Sequence, residues 1–155
     1  MRAAIMNAFR HVLVPIDFGV PSERALDLAL DLAQKEGAKV TLLHAYSLPL
    51  LAYGEGIVWP IEEFRQSAQK TLDDALARAK ARYPRVEGVL VYGEPREKIL
   101  EAVDKHGIDL IVMGTHGLRG LSRAFFGSVA ERIVRVSPVP VMTVSGTGAR
   151  AAAAA

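Results

Sequence analysis

Short apolar runs alternate with segments of helical periodicity along almost the whole chain, and this alternation limits the folds that the sequence can adopt. The apolar runs predict five buried strands, at residues 12–16, 40–45, 86–92, 109–113 and 139–144. Between them, apolar residues recur every three to four positions, which is the period of an amphipathic helix. Strands that alternate with helices predict an α/β fold with a parallel sheet. The nearly uninterrupted first and fourth strands indicate burial on both faces, as in a doubly wound sheet.

The length of 155 residues fits a single domain with a full core. We expect residues 10–145 to form this domain and residues 1–9 to be an N-terminal extension. Residues 146–155 have low complexity and end in five alanines, so we expect a disordered tail or a cloning remnant. Within the domain, the first helix is expected to open at Ser22 and to end at Gly37 as a C-cap.

The composition excludes several classes of protein. The chain has no cysteine, which rules out disulfides, thiolate metal sites and a cysteine nucleophile. Its 19 basic and 17 acidic side chains leave a net charge of +2, without the basic run of a nucleic-acid-binding protein. No apolar stretch is long enough to span a membrane, and the N-terminus lacks signal-peptide character. We therefore expect a cytoplasmic protein with neither a nucleic-acid nor a membrane partner.

A glycine-containing segment follows the fourth strand and leads into the last helix. It begins with residues 113–117, Met-Gly-Thr-His-Gly, and Gly127 and Ser128 stand where the helix is expected to start. A helix start presents unpaired backbone N–H groups and the positive end of the helix dipole, which favour an anion such as phosphate. Glycine allows the backbone to approach that anion closely and to take a positive φ. The Ser128 hydroxyl can cap the helix or donate to a phosphate oxygen.

This segment admits two interpretations. A single pair of glycines is most often turn chemistry, but this loop holds three glycines ahead of Gly127 and runs for about fourteen residues, which is long for a compact domain. Arg119 and Arg123 either neutralise phosphate or are solvated surface charges, and His116 either contacts a ligand or orients the loop. We favour a phosphate or nucleotide site.

Four other kinds of site that occur in α/β folds are missing from the sequence. The turn at residues 17–20 has neither the Gly-x-Gly-x-x-Gly of dinucleotide-binding proteins nor the acidic cluster of a receiver domain. A Walker A loop and the Gly-x-Ser-x-Gly elbow of hydrolases are also absent. We interpret His11, His44 and His106 as structural, and no two histidines have metal-ligand spacing. No catalytic residue and no metal ligand is therefore predicted.

Several motifs, taken together, are typical of one known family. Gly114-x-x-Gly117, followed nine residues later by Gly127-Ser128, satisfies the family's glycine pattern without a gap. The first strand, Val-Leu-Val-Pro-Ile-Asp at residues 12–17, is similar to the family's opening. The chain thus resembles the universal stress protein family, specifically its ATP-binding branch, over about residues 10 to 145.

The resemblance implies both a fold and a binding site. The fold is a five-stranded parallel sheet in the order 3-2-1-4-5 with helices on both faces. In the ATP-binding branch, the residue matching Asp17 contacts the nucleoside, the one matching Val40 meets adenine, and the glycine-loop residues hold the phosphates. We expect Mg²⁺ to accompany the phosphates. Arg119 is not fixed by the family pattern and is added for its charge within the glycine segment. The predicted cofactor-binding residues are Pro15, Ile16, Asp17, Val40, Met113, Gly114, His116, Gly117, Arg119, Gly127, Ser128 and Val129.

These observations predict an ATP-binding stress-response and signalling module rather than an enzyme. The segment offers a phosphate cradle but no evident base beside it, so at most slow ATP hydrolysis is expected. The alternative is a small nucleotide-dependent enzyme, an adenylating ligase or an ATPase. A ligase would need a serine- and glycine-rich phosphate loop after the first strand, which residues 17–20 do not supply.

The resemblance also implies a homodimer, and the last strand is the candidate interface. Residues 139–144 form an apolar strand that lies at the sheet edge in the implied order. Pro138 and Pro140 limit its pairing without abolishing it. An exposed apolar edge favours aggregation unless it is covered, and a two-fold partner covers both copies at once. The alternative is that the tail or a helix covers it within one subunit.

Overall fold

The computed structural model describes residues 8–48, 60–115 and 127–146. Five strands form one sheet in the order β3-β2-β1-β4-β5, and every neighbouring pair is parallel. The predicted fold class and strand order are confirmed. The elements in chain order are β1 (His11–Pro15), α1 (Val20–Glu36), β2 (Lys39–Tyr46), α2 (Ile61–Arg82), β3 (Val86–Tyr92), α3 (Pro95–His106), β4 (Leu110–Gly114), α4 (Ser128–Val136) and β5 (Val141–Val144).

The two faces of the sheet carry separate hydrophobic clusters, because successive side chains of a strand point to opposite faces. Val12 and Val14 of β1 belong to the first cluster, which α1 and α2 cover. Leu13, between them, belongs to the second cluster, which α3 and α4 cover. With helices on both faces, the middle residues of β1 and the first four residues of β4 are buried, as their apolar sequences predict.

Two elements begin two residues away from the sequence-based expectation, and the other strand bounds differ from it by at most one residue. Helix α1 begins at Val20, before Ser22, with Gly19 as its N-cap and proline in its first turn, a position where a missing N–H costs nothing. Strand β5 begins at Val141 rather than at residue 139, although the Pro140 carbonyl still accepts a hydrogen bond from Ile111 N at 3.0 Å. Proline supplies no N–H for the reciprocal bond, so residue pairing with β4 begins only at Val141.

The described residues extend past the predicted domain bounds, to Ala8 at one end and to Gly146 at the other. Phe9 packs against the first cluster, and Gly146 lies so close to Pro21 that an added Cβ would stand 2.7 Å from the proline Cγ. Residues 1–7 and 147–155, most of the predicted extension and tail, lie outside the described residues. None of the helices that the structure describes is both long and apolar enough to cross a membrane.

The topology creates a crevice at the carboxyl ends of β1 and β4. Helix α1 leaves β1 towards one face of the sheet, whereas α4, which follows β4, covers the other face. Strand order reverses between these two neighbours, and ligands of doubly wound sheets bind at such a point.

Candidate functional site

A cavity of about 290 Å³ occupies this crevice, which is near the lower end of the range typical of small-molecule sites. Its walls come from the ends of β1, β2 and β4 and from the first turns of α1, α3 and α4. The lining residues are Pro15, Ile16, Asp17, Ser22, Leu43, His44, Ala45, Pro95, Ile99, Met113, Gly114, Thr115, Gly127, Ser128, Val129 and Ala130.

Asp17 is fixed by the turn that follows β1. Its Oδ1 accepts hydrogen bonds from Gly19 N at 2.9 Å and from the Ser22 hydroxyl at 2.8 Å. Phe18, between Asp17 and Gly19, has φ of 64°. A bulky residue adopts this left-handed conformation only when its surroundings hold it there. No hydrogen bond from a described residue reaches Oδ2, so one oxygen builds the turn and the other is available to a ligand.

His44 lies beside this turn. Its Nδ1 is 2.8 Å from the Ile16 carbonyl, and because a carbonyl oxygen only accepts hydrogen bonds, Nδ1 carries the proton. The Phe18 ring lies against the imidazole, with the ring centroids 4.6 Å apart. The sequence-based interpretation of His44 as structural missed that it also lines the cavity.

The backbone of β2 passes the end of β1 at Ala45. Ile16 N donates to Leu43 O at 2.9 Å, so this residue of β2 directs its backbone groups towards β1. Ala45, two positions further, directs its N–H and C=O the same way, where β1 has already ended. The cavity wall thus offers a donor and an acceptor from one residue.

The expected contact of Val40 with a ligand is wrong. Val40 lies near the amino end of β2, is 0 % exposed, and pairs with Val12 on one side and Val86 on the other. It belongs to the first hydrophobic cluster. The strand-two residues that line the cavity are Leu43, His44 and Ala45, near the opposite end of the strand.

Helix α4 begins at the cavity as predicted, with Gly127 as its N-cap and Ser128 as its first residue. The Gly127 N–H donates to the Thr115 carbonyl, which joins the start of α4 to the end of β4. The amides left for an anion are therefore those of Ser128, Val129 and Ala130. Because Gly127 and not Ser128 occupies the N-cap position, the hydroxyl of Ser128 does not cap the helix.

The described glycines of this segment serve purposes other than a positive φ. Gly127 has φ of −57°, and Gly114 is not among the glycines with positive φ, so that expectation is wrong for both. At Gly114 an added Cβ would lie 2.7 Å from Pro21 Cβ and 2.8 Å from Ser22 N. Gly114 therefore allows the first turn of α1 to pack directly on β4.

The electrostatics of the cavity favour an anion on one side. Ser22, Pro95 and Ser128 place the first turns of three helices at its wall, and each helix N-terminus carries about half a positive elementary charge. Asp17 is the only carboxylate in the part of the lining that the structure describes. A ligand with a negative end and a neutral, hydrogen-bonding end fits this arrangement.

The structure gathers most of the predicted site residues around the cavity. Those that line it are Pro15, Ile16, Asp17, Met113, Gly114, Gly127, Ser128 and Val129. His116, Gly117 and Arg119 lie outside the described residues. Sequence reasoning missed the other lining residues, which are Ser22, Leu43, His44, Ala45, Pro95, Ile99, Thr115 and Ala130. For Pro95 a signal was present, because the Gly-Glu-Pro that closes β3 marks a further helix start at the same sheet edge.

A model of the universal stress protein family matches residues 8–145. The chain belongs to this family. A universal stress protein of Thermus aquaticus is 35% identical over 138 residues, which cover 88% of this chain and 98% of the relative. The structure of the universal stress protein UspA from Lactobacillus plantarum has a TM-score of 0.76 at 25% identity, over 88% of this chain and 97% of that one.

A further solved structure of a universal stress protein is described as a complex with cyclic AMP. Its sequence is 28% identical to that of this universal stress protein, and the TM-score is 0.67. The match covers 90% of this chain and 98% of that chain.

Proposed function

We propose that this universal stress protein binds ATP, with Mg²⁺ accompanying the phosphates, and works as a stress-response and signalling module with at most slow hydrolysis. The observation that carries the proposal is the polarity of the cavity. One side presents the free amides of a helix N-terminus, and the other presents a single carboxylate and an unpaired backbone edge.

The phosphates belong at the start of α4. The amides of Ser128 and Val129 and the hydroxyl of Ser128 supply donors there, and the dipole of α4 adds a favourable field. Gly117, from the glycine pattern, and Arg119, as a cation of the same segment, are proposed to complete this side; both lie outside the described residues.

The ribose belongs at Asp17. A carboxylate repels a triphosphate, so its suitable partner is a neutral donor, and the free Oδ2 can accept from a ribose hydroxyl. Because Oδ1 is held by Gly19 and Ser22, the carboxylate is oriented before a ligand arrives.

The adenine belongs at the end of β2. Adenine presents an acceptor at N1 beside a donor at its N6 amino group, which complements the N–H and C=O of Ala45. Ile16, Leu43 and Met113 supply apolar surface for the ring faces. Guanine and hypoxanthine present the reverse pattern, an N–H donor beside a carbonyl acceptor, so this edge favours adenine.

The described lining lacks the groups that efficient hydrolysis needs. Asp17 and His44 are its titratable side chains, and each already makes hydrogen bonds that build the turn after β1. Among the described residues no group of three or more acidic or histidine side chains could hold a metal ion. Mg²⁺ is therefore proposed to bind mainly through phosphate oxygens and water, as it does at many nucleotide sites.

The proposal includes a homodimer through residues 139–144. Strand β5 is an edge of the sheet, and its residues are half-buried by their own subunit. The cyclic AMP complex of a related universal stress protein supports an adenine nucleotide as the ligand class.

Calorimetry of the purified protein with ATP, AMP, cyclic AMP, adenosine and GTP, in the presence of Mg²⁺, tests the ligand class. We expect ATP and adenosine to bind saturably and GTP to bind much more weakly. Chromatography of the same mixture after prolonged incubation measures any ADP or AMP that is released. Absence of saturable binding by every adenine compound overturns the proposal, and rapid multiple turnover overturns its non-enzymatic part.

A further inference from the structure

The end of β1 is closed by a side chain rather than by the main chain of its neighbour. Ile16 N continues the parallel ladder by donating to Leu43 O at 2.9 Å. The next bond of such a ladder would run from Ala45 N to the Ile16 carbonyl. Among the described residues no main-chain N–H makes that bond, and His44 Nδ1 lies 2.8 Å from the carbonyl instead.

The imidazole is oriented for this contact. The Phe18 ring lies against it at 4.6 Å between centroids and 52° between planes. Phe18 itself is held in a left-handed conformation by the turn that contains Asp17. Two features that are otherwise unexplained, a bulky residue with positive φ and a histidine that donates to a strand terminus, therefore share one purpose.

We propose that His44 is a positioning residue that caps the Ile16 carbonyl and so keeps the Ala45 backbone free for the edge of an adenine base. Without the cap, the Ile16 carbonyl would be satisfied most simply by Ala45 N–H, because buried backbone groups rarely stay unpaired. The ladder would then extend by one bond, and the donor for adenine N1 would be lost. The role in base recognition rests on the proposed function, whereas the capping itself does not.

Three variants separate capping from a general structural role. His44→Leu removes the donor and keeps apolar contact with Phe18. His44→Asn keeps an N–H donor near the position of Nδ1. His106→Leu makes the same change as the first variant at the far end of α3, outside the cavity lining, and serves as the matched control.

Calorimetry with adenosine and inosine measures the effect on the base edge. We expect His44→Leu to weaken adenosine binding about tenfold, the loss of one hydrogen bond of typical strength. Inosine should bind weakly to all variants, so the preference for adenosine over inosine should fall in His44→Leu. His44→Asn should restore most of the preference, and His106→Leu should retain it. An unchanged preference in His44→Leu overturns the inference.

Amide hydrogen exchange of the ligand-free protein, measured by NMR, tests the capping independently. We expect the Ala45 amide to exchange rapidly in the unmodified protein and to become protected in His44→Leu, where it can pair with Ile16. A protected Ala45 amide in the unmodified protein overturns the capping. If the unmodified protein binds no adenosine, the proposed function and the base-reading role fail together, and the exchange result still decides the capping.

Discussion

The Ser22 hydroxyl donates to Asp17 Oδ1 at 2.8 Å and lies 3.0 Å from the Gly19 carbonyl, so one side chain of α1 ties together the turn that precedes it. Ser22 is only 4 % exposed, whereas Asp17 is exposed at the cavity mouth. A buried hydroxyl thus orients an accessible carboxylate, which explains why a short turn without glycine repeats can still form one side of a binding site.

Replacing Asp17 by alanine tests the carboxylate. If Asp17 binds a ribose hydroxyl, Asp17→Ala should weaken ATP and adenosine by similar free energies, about 1.5 kcal/mol or more for a hydrogen bond to a charged group. Calorimetry with both ligands measures this. Ser22→Ala, which keeps the carboxylate but removes its support, should cause a smaller loss for both. A loss confined to ATP would instead assign Asp17 to the metal ion.

Replacing Gly127 by valine tests the phosphate side. The φ of −57° and ψ of 148° at Gly127 are accessible to valine, so the variant should fold. Its branched side chain would stand where the phosphates approach α4, and we expect ATP to bind at least tenfold more weakly, about 1.4 kcal/mol. Adenosine, which lacks phosphates, should be affected much less. Unchanged ATP affinity in a variant shown by urea titration to be folded would place the phosphates elsewhere.

Gly114→Ala should reduce stability rather than only binding. The new Cβ would lie within 2.8 Å of the backbone of Pro21 and Ser22, which cannot move without shifting α1. We expect the free energy of unfolding to fall by about 1–3 kcal/mol, as for an overpacked core. In the control Gly88→Ala, the Cβ would meet the flexible end of Leu76 at 3.2 Å, and the loss should be smaller. Urea unfolding of both variants compares them, and equal losses would contradict this account.

Gly127 and Gly114 show what a sequence can reveal about the site. Hydrophobic periodicity predicts the strands and helices because each must bury one face, and the position of Gly127 at a helix start follows from that pattern. The reason for Gly114 does not follow, because a glycine that accommodates a neighbouring helix and a glycine that accommodates a ligand have the same local sequence.

Val40 and Ala45 show a second limit of what can be predicted from the sequence. The sequence identifies their strand, but which residue of that strand meets a ligand depends on how far β2 extends past the end of β1. That register is set by long-range pairing, Pro15 with Leu43, and by the His44 contact with Ile16. Neither is visible in the local pattern, so the predicted adenine contact, Val40, fell at the end of the strand away from the cavity.

A polar network at the amino end of the sheet makes stability depend on pH. His11 Nε2 lies 2.8 Å from the buried Thr41 hydroxyl, which donates to Glu87, and Glu87 also pairs with Lys39 at 2.8 Å. Burial and then Lys39 lower the pKa of His11, against the raising effects of the His106 carbonyl and two carboxylates. Burial raises the pKa of Glu87, but the hydrogen bonds from Lys39 and Thr41 outweigh it and lower the pKa overall.

The sign of the pH effect follows from these directions. A group whose pKa is lower in the folded state binds protons more tightly when unfolded, so stability is lost as pH falls. For His11 the loss begins below about pH 6.5, the ordinary pKa of histidine, and for Glu87 it begins near its own ordinary pKa of about 4.3. Urea unfolding at pH 7.5 and 5.5 should therefore show a smaller decrease in His11→Gln than in the unmodified protein. Equal decreases would exclude His11 as a source of the pH dependence.

The edge strand β5 leaves backbone groups without partners in the part of the chain that the structure describes. The carbonyls of Pro140 and Val144 accept hydrogen bonds from β4, at Ile111 and Thr115. Val141 and Thr143 alternate with them, so their N–H and C=O groups point away from the sheet. A second copy of β5 related by a two-fold axis can pair with this edge, which is the geometry of the proposed homodimer.

Val141→Lys should shift the protein from dimer to monomer and spare ATP binding, because Val141 lies outside the cavity lining. The substitution has its own cost, since Val141 packs against the second hydrophobic cluster. Val91→Lys is the matched control: Val91 is also half-buried against that cluster, but on β3 at the opposite edge. Light scattering at micromolar concentration should show a dimer for the unmodified protein and for Val91→Lys, and a monomer for Val141→Lys. A monomeric unmodified protein, or equal dissociation of both variants, would rule out β5 as the interface.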